Sequence, residues 1–503
     1  MISLAQVVED DFAASRRVFE TILRGMEDDE ARSLTHSDLE EYLLEKGPEL
    51  MRQLVQEYLA RRAREEPRLD VVRDAEGVER GSVENGHQRA LTTVFGEVVV
   101  ARKAYRQCGH PNLHPADGEL NLPPEQYSHT LRKLAAIEAS RGSYDEAVEA
   151  IQRQTRQRLG KRQAEELAIR SAVDFEAFYQ ASAREPCRIE DVLVLSCDGK
   201  GIVMRPEGLR EATRRESEKS QQKLATRLSK GEKGRRKRMA EVGSVYDCSP
   251  VPRQPEDILR RTGDEEAKPA PTAKAKWVTA SVVDDAAEVV ARVFDEAKRR
   301  DPEQRRTWIA LVDGNKHQIE RIQSEARKRG VEVAIVVDFV HVMEYVWKAA
   351  WSFFHEGDPA AAAWVYDRLL SILKGSACRV AAGIRASATK RSLPVYQREG
   401  ADKCAAYLVN KSDFLDYPKA LREGWPIATG VIEGACRHLV KDRMDLTGAR
   451  WGLQGAEAIL KLRALRTNGD FEAYWRFHLR QEKRRNHESR YLGNSIPGEP
   501  NVT

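Results

Sequence analysis

Cysteine is scarce and scattered in this chain: seven residues in 503, with no Cys-x-x-Cys pair. That excludes the disulfide framework of a small secreted domain and points to a reducing compartment. Long hydrophobic runs are missing too. The best membrane candidate, residues 334–354, contains Asp338, His341, Glu344 and Lys348. A charge at a bilayer centre costs roughly 2.5–3.5 kcal/mol on insertion scales, so no span is expected there. No secretory signal is expected at the start, because Met1 leads quickly into Glu9, Asp10 and Asp11. Neither charge sign dominates, since 83 basic and 79 acidic residues leave +4. A hydrophobic content of 41% excludes a wholly disordered chain. The expectation is a cytoplasmic protein, too long for one ordinary core and therefore built of two or more domains.

The local patterns are more informative. Residues 1–85 read as an acidic helical region, in which Ser37 and Glu40 form a capping box ahead of Leu39, Tyr42 and Leu43. From 86 to 185 the chain reads as a β-hairpin turning near Gly96, followed by two short helices about a polar turn at 152–158. Two helices so joined suit a helix-turn-helix, with Lys161, Arg162 and Gln163 at the N-terminal end of the second, where base contacts are made. Any αα-hairpin with a basic end has the same look. Cys108, His110 and His114 offer a few metal-binding groups but no second pair, which favours a plain loop over a zinc site.

Beyond residue 186 strands and helices alternate. Val192–Ser196 is expected to be a strand, with Ile202–Met204 pairing back across Gly199-Lys-Gly201. Further strands are expected at Trp277–Val283, Trp308–Val312 and Val333–Val337, with helices at Ala287–Arg299, Gln318–Arg329 and Val340–Phe354. Three strands, helix, strand, helix, strand, helix is the order of a ribonuclease-H-like fold, in which the first and fourth strands are neighbours. Two insertions interrupt this core over 186–357 and after it. The first, 205–276, opens with thirteen basic residues against five acidic ones from Arg205 to Arg238, ending in Arg235, Arg236, Lys237 and Arg238. That imbalance favours phosphate contact over a merely solvated face. The remainder, rich in Pro, Ala and charge, reads as a linker. The second insertion, 358–428, reads as all helical. Residues 429–480 read as C-terminal helices and 481–503 as a disordered basic tail.

Three acidic residues stand out against this frame. Asp198 and Asp313 each end an apolar strand, and Glu433 opens a helix in Thr429-Gly-Val-Ile-Glu433-Gly. Strand carboxyl ends form the usual ligand crevice of an α/β sheet. Carboxylates converging there repel unless cations lie between them. Two divalent metals so held can drive in-line attack on a phosphodiester.

The motifs Ser196-Cys-Asp198-Gly-Lys-Gly, Arg238-Met-Ala-Glu-Val-Gly, Leu311-Val-Asp313-Gly, Asp338-Phe-Val-His341, Gly430-Val-Ile-Glu433-Gly-Ala-Cys-Arg-His and Gly448-Ala-Arg450-Trp451 resemble, in that order, bacterial insertion-sequence transposases of the ISKra-four type within the Mutator-like group. The resemblance runs from about Gly86 to Phe477. It implies an α/β ribonuclease-H-like catalytic core with an all-α insertion, preceded by a mainly α DNA-binding region. It also implies Asp198, Asp313 and Glu433 as a metal-binding triad for two Mg²⁺ ions, with Mn²⁺ as substitute. Asp338 and His341 match an auxiliary signature, although Asp338 also ends a strand and could itself be the second ligand. Around Glu433, the residues Arg437, Lys441, Arg443 and Arg450 offer phosphate contacts and Trp451 a stacking surface, with core packing the alternative for Trp451. The implied partners are double-stranded DNA, as element ends and target, and a second copy of the chain at least, at the nucleoid. The rival expectations are a non-catalytic DNA-binding relic, a structure-selective nuclease of the same fold and, more distantly, a two-carboxylate glycosidase.

Overall fold

The computed structural model describes residues 11–184, 187–219, 230–259, 268–446 and 448–498. Part of the basic run, 220–229, and residues 260–267 of the expected linker lie outside the described residues. The chain divides into two compact units, Met1–Gln180 with Asp470–Thr503, and Ala181–Gly469. The boundary expected at 85 therefore does not divide the units, the one expected at 185 lies five residues beyond the division at Gln180, and the C-terminal region expected over 429–480 is split at Gly469.

In the first unit, helices Ala13–Glu27 and His36–Glu65 precede a hairpin of strands Ser82–Thr93 and Gly96–Arg106. The long helix is capped two residues earlier than expected: Thr35 and Asp38 form the reciprocal box, not Ser37 and Glu40. Both pairs satisfy the same spacing rule, so sequence alone does not choose between them. Helices His129–Arg141, Tyr144–Thr155 and Lys161–Arg170 follow. They enclose Leu131, Ala135, Ile151, Leu159, Ala164 and Leu167.

The expected disordered tail is instead partly a helix, Phe471–Asn486. Its polar residues are consumed inside the unit. Tyr474 Oη donates to the Ser171 carbonyl at 2.7 Å, His478 Nδ1 lies 2.7 Å from Asp174 Oδ2, and Glu482 accepts from the buried Arg132 at 2.7 Å. A hydropathy reading counts such residues as solvent-loving, whereas buried charges are retained when paired.

The second unit is built on a five-stranded mixed sheet. Its strands are β1 Val192–Val203, β2 Lys237–Cys248, β3 Ala273–Ser281, β4 Trp308–Val312 and β5 Val333–Val337, in the spatial order 3-2-1-4-5. The first three are antiparallel, and β4 and β5 extend the sheet in parallel with β1. Strand β1 does not turn back at Gly199-Lys-Gly201. It runs straight through, pairing from Val192–Cys248 to Val203–Lys237. A tight turn there would call for a left-handed glycine, and neither Gly199 nor Gly201 is in that region. The second strand therefore lies within the stretch read as an insertion, and the basic run connects β1 to β2 instead of β2 to β3.

Helix α1, Ala286–Arg300, packs on the sheet at Gly243 of β2, where a Cβ would lie 2.4 Å from Val293 Cγ2. Helix α2, Lys316–Arg329, joins β4 to β5, and α3, Phe339–Ala350, leaves β5. The second insertion is helical throughout its main elements: α4 Pro359–Leu373, α5 Ala377–Lys390, α6 Val395–Asn410 and the short Tyr417–Arg422. Helix α7, Gly430–Ala435, then passes into a π-helical segment, Cys436–Lys441, and α8 is Leu453–Thr467. Among the described residues no helix is long and apolar enough to cross a membrane.

Candidate active site

The parallel register determines which carboxylates meet. Ser196 of β1 is level with Leu311 of β4, so Asp198 and Asp313, each two residues further on, fall on the same row. Val312 is level with Val337 of β5, which places Asp338 one step beyond on that row as well. Three aspartates thus stand side by side, Asp313 and Asp338 just past the ends of β4 and β5, while Asp198, expected to end its strand, lies within β1, which runs on to Val203. Each follows a buried apolar stretch that fixes the chain ahead of it: Leu193, Leu195, Leu311, Val312 and Val337 are all at most 2% exposed.

Their surroundings differ. Asp198 Oδ1 accepts from the Gly199 N–H at 2.7 Å, and Oδ2 accepts from the Cys436 thiol at 3.3 Å. Burial first, and Asp198 next, push the Cys436 thiol far above its ordinary value, so it stays protonated and can donate. Asp313 is half-buried, and its Oδ1 accepts from the Asn315 N–H at 2.8 Å. Its backbone is held by Tyr407 of α6, whose hydroxyl donates to the Asp313 carbonyl at 2.9 Å. Gly314 has φ +89° and faces that hydroxyl so closely that a Cβ would lie 2.7 Å from it, which makes glycine the fitting residue.

Asp338 is fully buried and caps α3. Oδ1 accepts from the Val340 N–H at 2.9 Å, while Oδ2 accepts from the Thr429 hydroxyl and lies 3.2 Å from His341 Nδ1. That pairing outweighs burial and raises the His341 imidazolium above its ordinary value. Thr429 Oγ1 is also 3.2 Å from Glu433 Oε1, so one buried hydroxyl ties the exposed Glu433 to Asp338. Asp338, His341 and Glu433 bring ligand atoms within 4.8 Å of one another, the one such group found among the described residues.

Asp198 and Asp313 share a cavity of about 510 Å³ between the sheet and the helices α1 and α2. A further carboxylate lines it that sequence reading missed, Glu241 of β2, which pairs with Gly199 in the ladder. Burial, partly offset by Arg321 and reinforced by Asp198, holds the Glu241 carboxyl above its usual value. The signal was available only once Lys237–Cys248 is known to be a strand, because then Glu241 falls beside Asp198.

Asp198, Asp313 and Glu433 offer carboxylate oxygens of the kind a hard divalent cation takes, and among the described residues none has a lysine or arginine at ion-pair distance, but the three do not bring those oxygens within 4.8 Å of one another as Asp338, His341 and Glu433 do. Asp338 suits it less, because both its oxygens already serve N–H, O–H and imidazole partners.

The expected DNA-contacting residues divide into exposed and committed ones. Arg235, Lys237, Arg437, Lys441 and Arg450 are exposed, and Arg236 is partly so. Arg238 instead donates to three carbonyls, those of Val282 at 2.6 Å and of Gly208 and Val283 at 3.2 Å each, so its planar fork is spent on the fold. Arg443 is 2% exposed and lies over the ring of Trp451 at 4.6 Å. Trp451 is 4% exposed and donates Nε1 to the Met444 carbonyl, so core packing is its observed environment. Neither can meet DNA in this conformation. In the first unit Lys161 pairs with Asp145, Arg162 with Glu166 at 3.0 Å, and Gln163 accepts from the Gly160 N–H at 2.8 Å. Arg162 is nevertheless largely exposed. His114 stacks on His87 rather than approaching Cys108, which is exposed.

No family model matches the chain, and no curated protein matches it.

Proposed function

We propose that this protein is a DDE-type transposase with a ribonuclease-H-like core, which cleaves DNA at the ends of its element and joins the freed 3′-hydroxyl to a target. The observation that carries the reading is the row of carboxylates at the edge of a 3-2-1-4-5 sheet, with Glu433 tethered beside it through Thr429. Asp198, Asp313 and Glu433 are the metal ligands in this reading. Asp313 is preferred to Asp338 because it keeps one carboxylate oxygen without a hydrogen-bond partner, whereas Asp338 is buried and saturated.

Bound by these residues, two divalent cations such as Mg²⁺ or Mn²⁺ would supply the Lewis acidity for in-line displacement at phosphorus. The chain's own contribution is orientation. Cys436 and the Gly199 N–H fix the Asp198 carboxylate, Asn315 fixes Asp313, and Thr429 fixes Glu433. His341, aligned by Asp338, supports that edge of the site. Exposed Arg235, Lys237, Arg437, Lys441 and Arg450 offer charge for the phosphate backbone, and Lys161 and Arg162 offer it on the first unit. At least two copies would be needed to hold two DNA ends.

The test is cleavage of DNA flanking the reading frame, with Mg²⁺ or Mn²⁺, by wild type and Asp198→Asn. The expected result is a nick at one defined position leaving a 3′-hydroxyl, with strand-transfer products, both absent in the variant while DNA binding persists. Cleavage by the variant at the wild-type rate refutes the triad. Cleavage without strand transfer reduces the reading to a nuclease, and specific binding with no cleavage by either protein favours a DNA-binding role.

A further inference from the structure

The cavity beside Asp198 and Asp313 is larger and more varied than two metal ions and a phosphate require. At about 510 Å³ it falls within the range of roughly 300–1,000 Å³ typical of small-molecule pockets. One end carries the two aspartates. The walls are aliphatic and flat: Val242 from β2 and Ala286, Val289 and Val290 from α1, with both α1 valines at most 2% exposed. Among the other polar groups of the lining are Glu241, Gln318 and Arg321, with Asn315 and His317 beside Asp313.

Their hydrogen-bonding state is specific. Gln318 donates its amide N–H to the Cys197 carbonyl, which sets the side chain's orientation. Its Oε1 is buried and has no partner. A buried acceptor left in that state is unfavourable until a donor reaches it. Glu241 is a second acceptor, half-buried, and has no ion pair among the described residues. Arg321 is exposed and cationic and brings only donors. Away from the aspartates and from Asn315 and His317, this leaves two acceptors and one forked donor beside an aliphatic slot.

Resting on the reading of this protein as a DNA-cutting enzyme, we propose that this cavity receives one extrahelical guanine of the DNA substrate, next to the phosphodiester that is cut. Guanine presents N1–H and N2–H donors on its Watson–Crick edge for Glu241 and Gln318, and O6 for Arg321. Cytosine and thymine offer fewer donors there. Adenine offers a donor at N6 but places an acceptor at N1, opposite the carboxylate. Enzymes that take a base out of the stack read it by its Watson–Crick edge between apolar walls. Aliphatic walls hold the ring, and the polar side selects it. Bound so close to Asp198 and Asp313, the base would anchor the backbone on which those residues act.

The probes are fluorescent decamers, dT10 and dT10 carrying one central dG, dA or dC, titrated by fluorescence polarisation without divalent metal against wild type, Glu241→Gln and Arg321→Ala. Wild type is expected to bind the dG strand about tenfold more tightly than dT10, the scale of one bidentate base contact. Each variant should lose most of the dG preference, read as the ratio of its own affinities for the dG strand and for dT10. Arg321 is exposed, so Arg321→Ala reports even if Glu241→Gln does not fold. Equal affinity of wild type for all four strands, or a dG preference unchanged in Arg321→Ala and Glu241→Gln, overturns the proposal. Cleavage by wild type and its loss in Asp198→Asn test the enzymatic reading separately. Cleavage without dG preference removes the pocket alone, and dG preference without cleavage removes the enzyme alone.

Discussion

Thr429→Val removes one hydroxyl and almost no volume, and its consequences can be worked from the structure. The residue is 4% exposed, and its Oγ1 serves two carboxylates, Asp338 Oδ2 and Glu433 Oε1. Asp338 is fully buried, so the lost bond cannot be replaced by water without disturbing the fold. A hydrogen bond to a charged group contributes about 1.5–3 kcal/mol, and that is the expected loss for the second unit. The exposed Glu433 adds little to stability, but without its tether the side chain leaves its place beside the aspartate row. A displacement near 1 Å can cost about a hundredfold in rate. Urea unfolding of wild type, Thr429→Val and Thr429→Ser, followed by cleavage kinetics of the same three proteins, separates the two effects. Serine keeps the hydroxyl and should retain most of both. The reasoning is refuted if Thr429→Val unfolds at the wild-type midpoint, or if Thr429→Ser falls as far as Thr429→Val, since the methyl group would then be what matters.

The first unit should be acid-labile. Burial pushes the Asp174 and Glu482 carboxyls up, but bonds from His478 and Arg485 to Asp174, and from Arg485 and Arg132 to Glu482, hold each at about 2 against ordinary values of 3.8 and 4.5. Folded values below unfolded ones mean stability that is full above the unfolded values and lost as pH falls toward the folded ones. Thermal unfolding of this unit should therefore worsen between about pH 4.5 and 2, and Asp174→Asn should flatten that slope. Arg235→Ala should lower the salt dependence of DNA binding by about one ion. Arg238→Ala should leave it unchanged and reduce stability instead, because its donors bind carbonyls; a changed salt slope would show that the guanidinium meets phosphate. Brief iodoacetamide treatment of the native protein, read by mass spectrometry, should label exposed Cys108 and Cys378. Cys404, pushed up to about 12 by burial, and Cys436 should react only after denaturation; early labelling of Cys436 would contradict its contact with Asp198.

Much of the site was legible because β4, β5 and the first half of β1 are short apolar runs that lead into an aspartate, and burial leaves such runs little freedom. Strand β2 was not, since its first five residues, Lys237 to Glu241, carry three charges and only Ala240 among them is buried. It becomes a strand through pairing with β1, a tertiary effect that overrides local composition. The two glycines of β1 misled for the same reason: Gly signals a turn locally, yet here it makes room for Met239 and Lys237 across the ladder. Arg238, Arg443 and Trp451 have the chemistry of DNA contacts, and only their burial or carbonyl partners show where that chemistry is spent. Glu433 is legible from its helix start, but the contact of Thr429 with Asp338, 91 residues away, is not readable from spacing.

The first unit is discontinuous in sequence, and this gives it a history during synthesis that the second unit lacks. Arg132 must wait 350 residues for Glu482. At about 5–20 residues per second that is a delay of roughly 20–70 s, during which the whole of 181–469 leaves the ribosome and can fold. A message truncated before residue 471 would yield a complete five-stranded sheet joined to an unsealed first unit, with Asp174 lacking His478 and Arg485, and Arg132 keeping Glu125 but lacking Glu482. Helix Phe471–Asn486 therefore acts as a checkpoint, and the first unit is finished only in chains translated past it.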